Sequence, residues 1–157
     1  PYLADVGFGF SPTAALRLEA DREQPLELDR YRLLRAPNTW TLQLHQPEGW
    51  ADAYVFHDDP YTPIDYEVAN HFTSTHPRSH FRLGPLVIRP DLAAAVRHVL
   101  RGNELTTRGP GGVVTSRRSI GDPDELLSVL SEFFALHFPD GTRFPAPVPP
   151  MLPAPAP

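Results

Sequence analysis

The sequence predicts an α+β protein, in which an antiparallel sheet or small barrel comes first and a part that mixes helix and strand follows. The first 60 residues carry short runs rich in aromatic and branched residues, each bounded by Pro, Asn or Gly. Two later segments, at Pro63 and Pro123, have the proline and acidic signals that open a helix. Between them, a glycine-rich turn separates two further runs that are typical of a hairpin.

Composition excludes several kinds of function. A hydrophobic content of 41% is enough for a core, and the net charge of −5 offers no basic surface for nucleic acid. No apolar run approaches the roughly 18 residues that would span a bilayer. The chain has no Cys, which excludes disulfides, thiolate metal sites and a cysteine nucleophile within it. All 14 basic residues are Arg, which suggests a GC-rich bacterial genome and excludes lysine chemistry.

The first ten residues predict a strand that ends at a carboxylate and then turns sharply. Under period-two alternation, Asp5 lies on the same face as Leu3. An uncompensated buried charge costs several kcal/mol, so we expect Asp5 to pair with an imidazole, a guanidinium or backbone N–H groups. Gly7 and Gly9 allow positive φ and close approach to a ligand, with Phe8 displayed between them. The alternative is a structural Asp that only caps the glycine turn.

Three β-rich runs follow a short extended segment and predict an antiparallel sheet or small barrel. Turn signals at 36–38 and 46–49 lie between these three runs and predict that neighbouring runs pair as hairpins. The extended segment is 14–18, and the predicted strands are 27–35, 39–44 and 51–56.

From residue 61 onward the pattern predicts helix, loop and strand in turn. Pro63 helps to open a helix that runs through Phe72, and 73–81 follows as a loop rich in hydroxyl groups and histidine. The segment 91–100 stays ambiguous, because its three alanines favour helix whereas a sheet context would override them. The predicted strands are 86–89, 104–108 and 112–118.

A last helix is expected to start with Asp122 as N-cap and to run to about His137. The apolar face predicted for this helix comprises Leu126, Leu127, Leu130, Phe133 and Phe134. The Pro-rich segment 144–157 should be a disordered tail with polyproline-like conformation.

The loop after the first predicted helix is a candidate for binding. His71, His76 and His80 lie close together, but no Cys and no nearby acidic residue completes a ligand set, so we expect no metal. The loop 73–81 offers three hydroxyl groups and Arg78 to an anionic group. The alternative is a polar loop whose hydroxyl groups cap its own backbone.

Tyr2–Gly9 resembles the Asp-bearing motif of the arylamine N-acetyltransferase family, and two later blocks agree in order and spacing. Trp40–Phe56 resembles the middle barrel strands of that family, and Asp65–Phe81 resembles its segment from helix to loop. Arg101–Leu105, followed by a strand and a helix that starts at an Asp, is similar to the C-terminal lid. The resemblance covers roughly residues 1 to 138.

This resemblance implies a cytoplasmic enzyme of xenobiotic metabolism with a cysteine-protease-like fold. Its three parts are an N-terminal helical bundle, an antiparallel β-barrel and a small α/β lid. In this chain it implies a barrel portion over 1–60 and a lid over 61–143, with the bundle missing. It further implies a Cys-His-Asp triad that passes acetyl from acetyl-CoA to an arylamine, hydrazine or arylhydroxylamine, without a metal.

Site residues follow from the same resemblance. Asp5 matches the triad carboxylate, and Phe8 and Phe81 match aromatic residues that line the acceptor pocket. The positions that match the cleft or the coenzyme A segment are Gly7, Gly9, Thr75, Arg78 and Ser79.

The Cys and His of the family both precede its Asp, and no Cys or His precedes Asp5 here. We therefore expect this chain to be a fragment, inactive alone, whose partner is an upstream segment that bears the Cys and His. Two alternatives remain: a macrolactam-forming amide synthase of the same fold, and a non-catalytic remnant that binds ligand. Neither nucleic acid nor a membrane is an expected partner.

Overall fold

The computed structural model describes residues 1–82 and 84–144 and shows a mixed α/β fold with mostly antiparallel sheets. Its α-helices are α1, Pro63–Thr75, and α2, Pro123–Phe134. The strands are β1 Tyr2–Leu3, β2 Leu16–Arg17, β3 Gln24–Pro25, β4 Arg30–Ala36, β5 Thr39–Gln46, β6 Gly49–His57, β7 Leu86–Asp91, β8 Val96–Arg101, β9 Glu104–Arg108 and β10 Val114–Ser119.

The strands form three separate sheets. β1 and β2 make an antiparallel pair, β3-β4-β5-β6 form a four-stranded antiparallel sheet, and another four-stranded sheet has the order β10-β9-β8-β7. A closed barrel was predicted, but the described residues contain none. Closure would require a ladder between the edge strands β3 and β6. β3 has only two residues, and one of them is Pro25, which has no N–H to donate.

The chain divides into two compact units that interleave along the sequence. Unit 1 combines Pro1–Pro60, Pro90–Arg97 and Thr107–Thr115. Unit 2 combines Tyr61–Arg89, His98–Thr106 and the described residues from Ser116 onward.

The core of unit 1 forms where the buried faces of β4 and β5 meet. Tyr31 pairs with Leu44 and Leu33 with Leu42 in the antiparallel register, so all four side chains point to the same face. Leu16 from β2 joins them, and each of these side chains is buried. Full burial of one such leucine contributes about 1.5–3 kcal/mol, so this face stabilises the unit through several buried side chains.

The core of unit 2 is built on α2. The predicted N-cap is confirmed, because the Asp122 carboxylate accepts a hydrogen bond from the Glu125 N–H at 2.8 Å. The helix ends at Phe134, earlier than predicted, since Ala135 adopts a left-handed conformation with φ of 54°. Val129 is buried although it was not predicted on the apolar face. The buried cluster comprises Leu100, Leu105, Ile120, Leu126, Val129, Leu130 and Phe134.

The predicted start of α1 is confirmed. The Thr62 N–H donates to the Asp65 carboxylate at 2.7 Å, as in a capping box, and the Thr62 hydroxyl donates to the same carboxylate at 2.8 Å. The helix continues past the predicted end at Phe72 to Thr75, and every residue in it is exposed or half-buried. No helix in the described part of the chain has the length and apolar character needed to cross a membrane.

The structure also shows what two further predicted segments form. The segment 91–100, which the sequence left ambiguous, contains the end of β7, a turn with Ala95 at φ of 53°, and most of β8. Phe144, the first residue of the predicted tail, packs against the unit 2 cluster and contacts the Phe138 ring at 5.1 Å. The remainder of that tail, 145–157, lies outside the described residues.

Candidate functional site

Asp5 lies in unit 1, two residues beyond the end of β1, whereas the predicted strand ends at Asp5 itself. The predicted alternation is confirmed, since Leu3 and Asp5 are half-buried between exposed neighbours. Oδ1 of Asp5 accepts hydrogen bonds from the N–H of Gly7 at 3.0 Å and of Phe8 at 3.2 Å. The Tyr54 hydroxyl on β6 donates to Oδ2 at 2.7 Å. Backbone partners were predicted, whereas the phenol was not.

These contacts set the charge of the site. Burial raises the pKa of Asp5, but hydrogen bonds from Tyr54, Ser11 and two backbone N–H groups outweigh it and hold the pKa below its ordinary value. Burial and the contact with Asp5 raise the pKa of Tyr54. At neutral pH, Asp5 is therefore a carboxylate and Tyr54 a neutral donor.

This arrangement limits what Asp5 can do. A carboxylate with a lowered pKa is a poor proton donor near neutral pH, so Asp5 is unsuited to act as a general acid. An anion held in one orientation by several donors is suited to orient an imidazole and to stabilise its protonated form. The chemistry available to Asp5 is therefore that of an orienting group.

The turn after Asp5 uses its two glycines differently. Gly9 has φ of 88°, which confirms the predicted need for positive φ at this position. Gly7 does not use positive φ, and a Cβ placed there would meet nothing within 4 Å. What Gly7 contributes is its N–H to Asp5. Phe8 is 43% exposed and packs edge-on against the Tyr54 ring at 4.9 Å.

A cleft of about 640 Å³ opens in unit 1 beside this turn. Phe8 and Phe10 line it together with Ala51 and Val113, and this volume suits a small aromatic ligand. Arg108 also lines the cleft, where its Nη1 donates to the carbonyl of a neighbouring glycine at 3.2 Å. The buried Nε of Arg108 has no hydrogen-bond partner among the described residues. The cleft thus combines aromatic walls with the Arg108 cation, and the acidic residues Glu48 and Asp52 also line it.

The other predicted site residues belong to unit 2. Thr75 lies in the last turn of α1, where its hydroxyl donates to the His71 carbonyl at 2.6 Å. Ser79 is only 2% exposed, and its hydroxyl donates to the Thr73 carbonyl at 2.6 Å. These two hydroxyl groups therefore cap their own backbone, in line with the alternative given for this loop.

Arg78 and Phe81, like Thr75, are exposed members of this predicted set in unit 2. The N–H of Arg78 donates to Nδ1 of His76, and the His76 ring stacks on Phe72 at 4.6 Å. Within the described residues, no group of three or more His, Asp or Glu side chains is placed to hold a metal ion.

The structure brings Asp5, Gly7, Phe8 and Gly9 together in one unit and adds residues that sequence reasoning missed. Tyr54 is 49 positions away from Asp5, so no local pattern links the two. One signal was available, because a tyrosine on the core-facing side of a strand needs a partner for its hydroxyl group. Ser11 and Arg108 were also missed.

Sequence comparisons show that this chain is similar to known enzymes. A sequence profile of a family described as N-acetyltransferase matches residues 1–142. The arylamine N-acetyltransferase of Mycobacterium bovis is 35% identical over 145 residues, which cover 88% of this chain and 48% of that protein. The arylamine N-acetyltransferase of Escherichia coli is 32% identical over 146 residues, with coverage of 88% and 49%. The chain thus spans about half the length of the curated relatives it matches.

Solved structures show the same similarity. The arylamine N-acetyltransferase of Mycobacterium abscessus superposes with a TM-score of 0.78 at 31% identity, over 88% of this chain and 51% of the other. The arylamine N-acetyltransferase of Mycobacterium marinum, solved in complex with CoA, superposes with a TM-score of 0.76 at 33% identity, over 86% and 49%.

Proposed function

Because this chain belongs to the arylamine N-acetyltransferase family, we propose that it forms part of an enzyme that transfers acetyl from acetyl-CoA to aromatic amines. The observation that carries the proposal is the Asp5 carboxylate, which is ionised and held by Tyr54 and by backbone N–H groups. In this function Asp5 is the orienting member of a Cys-His-Asp triad.

The other two triad members come from outside this chain. It contains no Cys, and it spans about half the length of its curated relatives, so we assign the Cys and His to an upstream segment. The imidazole takes the thiol proton, the thiolate attacks the acetyl carbonyl, and the C–S bond to coenzyme A breaks as the imidazolium protonates the departing coenzyme A thiolate. The amine then attacks the acetyl-cysteine, the C–S bond to the cysteine breaks, and the imidazole carries the proton lost by the amine to the cysteine thiolate. Throughout, Asp5 holds the imidazole in the required tautomer.

The acceptor is an arylamine, a hydrazine or an arylhydroxylamine. The cleft beside Phe8 and Phe10 has the size and the aromatic walls to hold the ring of such a molecule. Phe81 lies in unit 2 and is not among the residues that line this cleft; the family resemblance matches it to an aromatic residue of the acceptor pocket. An aromatic ring is best held edge-on or offset against other rings, as Phe8 already is against Tyr54.

The acetyl donor is acetyl-CoA, in keeping with the M. marinum relative that was solved with CoA. By resemblance, Gly7 and Gly9 match glycines beside the active-site cleft of the family, and the segment from Thr75 through Ser79 matches one near coenzyme A. Within that segment the exposed Arg78 is the group suited to a phosphate, because a guanidinium donates two parallel hydrogen bonds. No metal takes part in this chemistry.

The experiment measures coenzyme A release from acetyl-CoA in the presence of an arylamine. We expect release when this chain is combined with an upstream segment that bears the Cys and His, and none from either piece alone. Asp5→Asn should lower turnover by on the order of 10³–10⁴-fold, because the imidazole loses its orienting anion. The matched control, Asp59→Asn, alters an exposed carboxylate and should be neutral.

Three results would overturn parts of this proposal. Near-normal acetylation by Asp5→Asn would remove Asp5 from the triad. Turnover by this chain alone would remove the need for an upstream segment. A folded chain that binds coenzyme A, but from which the combined assay detects no coenzyme A release, would favour the non-catalytic remnant.

A further inference from the structure

A buried ion pair lies in unit 1, separate from the Asp5 contacts. Nη1 of Arg97 lies 2.5 Å from Oδ2 of Asp29, and the two side chains are only 4% and 3% exposed. Burying two charges is unfavourable because both lose water, and apolar residues of similar volume often stabilise a fold equally well. A gain in stability is therefore a weak explanation for this pair.

The pair is joined to the backbone that follows Asp5. Nη2 of Arg97 donates to the Ser11 carbonyl at 3.4 Å, and its guanidinium lies 5.2 Å from the Phe10 ring centre. The Tyr31 hydroxyl lies 3.0 Å from the Phe10 carbonyl and 3.2 Å from Oδ2 of Asp29. Burial and the nearby Asp29 charge raise the pKa of Tyr31 to about 12, so this hydroxyl remains a donor at working pH.

Ser11 links this anchored backbone to Asp5. Its Oγ accepts a hydrogen bond from the Phe8 N–H at 3.0 Å, and the Ser11 hydroxyl also helps to lower the pKa of Asp5. The Phe8 N–H itself donates to Asp5 at 3.2 Å. Fixing the carbonyls of Phe10 and Ser11 therefore fixes two of the donors that surround the carboxylate.

We propose that Asp29, Tyr31 and Arg97 are positioning residues, which hold the Phe10–Ser11 backbone so that Ser11 and the Phe8 amide orient the Asp5 carboxylate. This inference rests on the proposed function, in which Asp5 orients the triad imidazole. The buried pair thus acts on the site through backbone carbonyls and makes no contact with substrate.

The test uses the full-length protein that contains this chain and three variants. Tyr31→Phe removes one hydroxyl group and little else. The double variant Asp29→Leu/Arg97→Met replaces both charges with apolar side chains, so that neither is left buried alone. Val129→Ala, in the core of unit 2, is the control for a general loss of stability. The readouts are kcat, KM for acetyl-CoA, and the pKa of the Asp5 carboxyl followed by carbon NMR.

We expect Tyr31→Phe and the double variant to lower kcat by about 10- to 100-fold with little change in KM, because a misplacement of about 1 Å can cost about 10²-fold. The pKa of Asp5 should rise in both, since its donors shift. Val129→Ala should leave that pKa unchanged.

A folded double variant with normal kcat and an unmoved Asp5 pKa would overturn the inference and leave the pair a structural feature. If the double variant does not fold, the kcat and the Asp5 pKa of Tyr31→Phe decide whether the inference holds. Because the NMR readout does not depend on catalysis, failure of the proposed function can be distinguished from failure of this inference. In that case Asp5→Asn would remain active while Tyr31→Phe still moved the pKa of Asp5.

Discussion

The phenol oxygen of Tyr54 lies 2.7 Å from Oδ2 of Asp5, although the two residues are 49 positions apart in the chain. This contact ties the irregular stretch after β1 to the middle of β6, within the same compact unit. Because the shared hydrogen bond favours the ionised carboxylate and the neutral phenol, it adds to the effect of burial in raising the pKa of Tyr54, and it helps the other donors to lower the pKa of Asp5.

Tyr54→Phe should raise the pKa of Asp5, because the variant removes the strongest of the hydrogen bonds that lower it. We expect a loss of about 1 kcal/mol in the free energy of unfolding, typical of one hydrogen bond. Carbon NMR of the Asp5 carboxyl during a pH titration checks the pKa, and urea unfolding checks the stability. Tyr66→Phe, on the exposed side of α1, is the matched control. An unmoved Asp5 pKa would show that the Tyr54 contact is incidental.

Acid should destabilise the fold in part through Asp5. Its pKa in the folded state is lowered, so its contribution to stability is fully present above the unfolded value of about 3.9. That contribution is lost as pH falls through the folded pKa. Urea unfolding at a series of pH values from about 6 to about 2 should therefore show a steeper loss of stability for the native chain than for Asp5→Asn. Equal slopes for the two proteins would contradict the prediction, and Asp59→Asn should behave like the native chain.

Phe8→Ser should change acceptor selectivity more than stability. Phe8 is 43% exposed, so its removal should cost about 1 kcal/mol, chiefly the edge-on contact with Tyr54. If Phe8 is a wall of the acceptor cleft, kcat/KM for bulky aromatic amines should fall by about tenfold relative to small hydrazines. Phe72→Ser, which alters a ring that is 47% exposed in unit 2, is the control. An unchanged order of acceptors would mean that Phe8 only packs against Tyr54.

Gly9→Ala and Gly7→Ala should differ in effect although both add one methyl group. Gly9 has φ of 88°, where an alanine is strained, so its replacement should cost about 1–2 kcal/mol. Gly7 lacks positive φ and has open space around its Cα, so alanine there should change stability by less than about 0.5 kcal/mol. Urea unfolding of both variants measures the difference, and equal stabilities would contradict the prediction.

Local patterns predicted much of this protein. The helix start at Pro63, the Asp122 N-cap and the strands β5 and β6 each depend on a few adjacent residues, and each is confirmed within a few positions. The expectation that Asp5 would not stay unpaired is also confirmed, because the cost of a bare buried charge does not depend on the fold. Resemblance in three blocks, Tyr2–Gly9, Trp40–Phe56 and Asp65–Phe81, indicated the family, which the comparisons then showed.

Tertiary structure decided what joins residues that are distant in sequence. The phenol that binds Asp5 and the arginine that pairs with Asp29 lie 49 and 68 positions away from their partners. The closed barrel failed as a prediction because closure depends on whether two edge strands can pair, and no single strand carries that information. Spacing and composition indicate which side of a segment avoids water and how the segment interacts with its nearest neighbours in sequence. Partners, burial and the charge of Asp5 instead depend on which strands pack together, and only the folded chain brings those strands into contact.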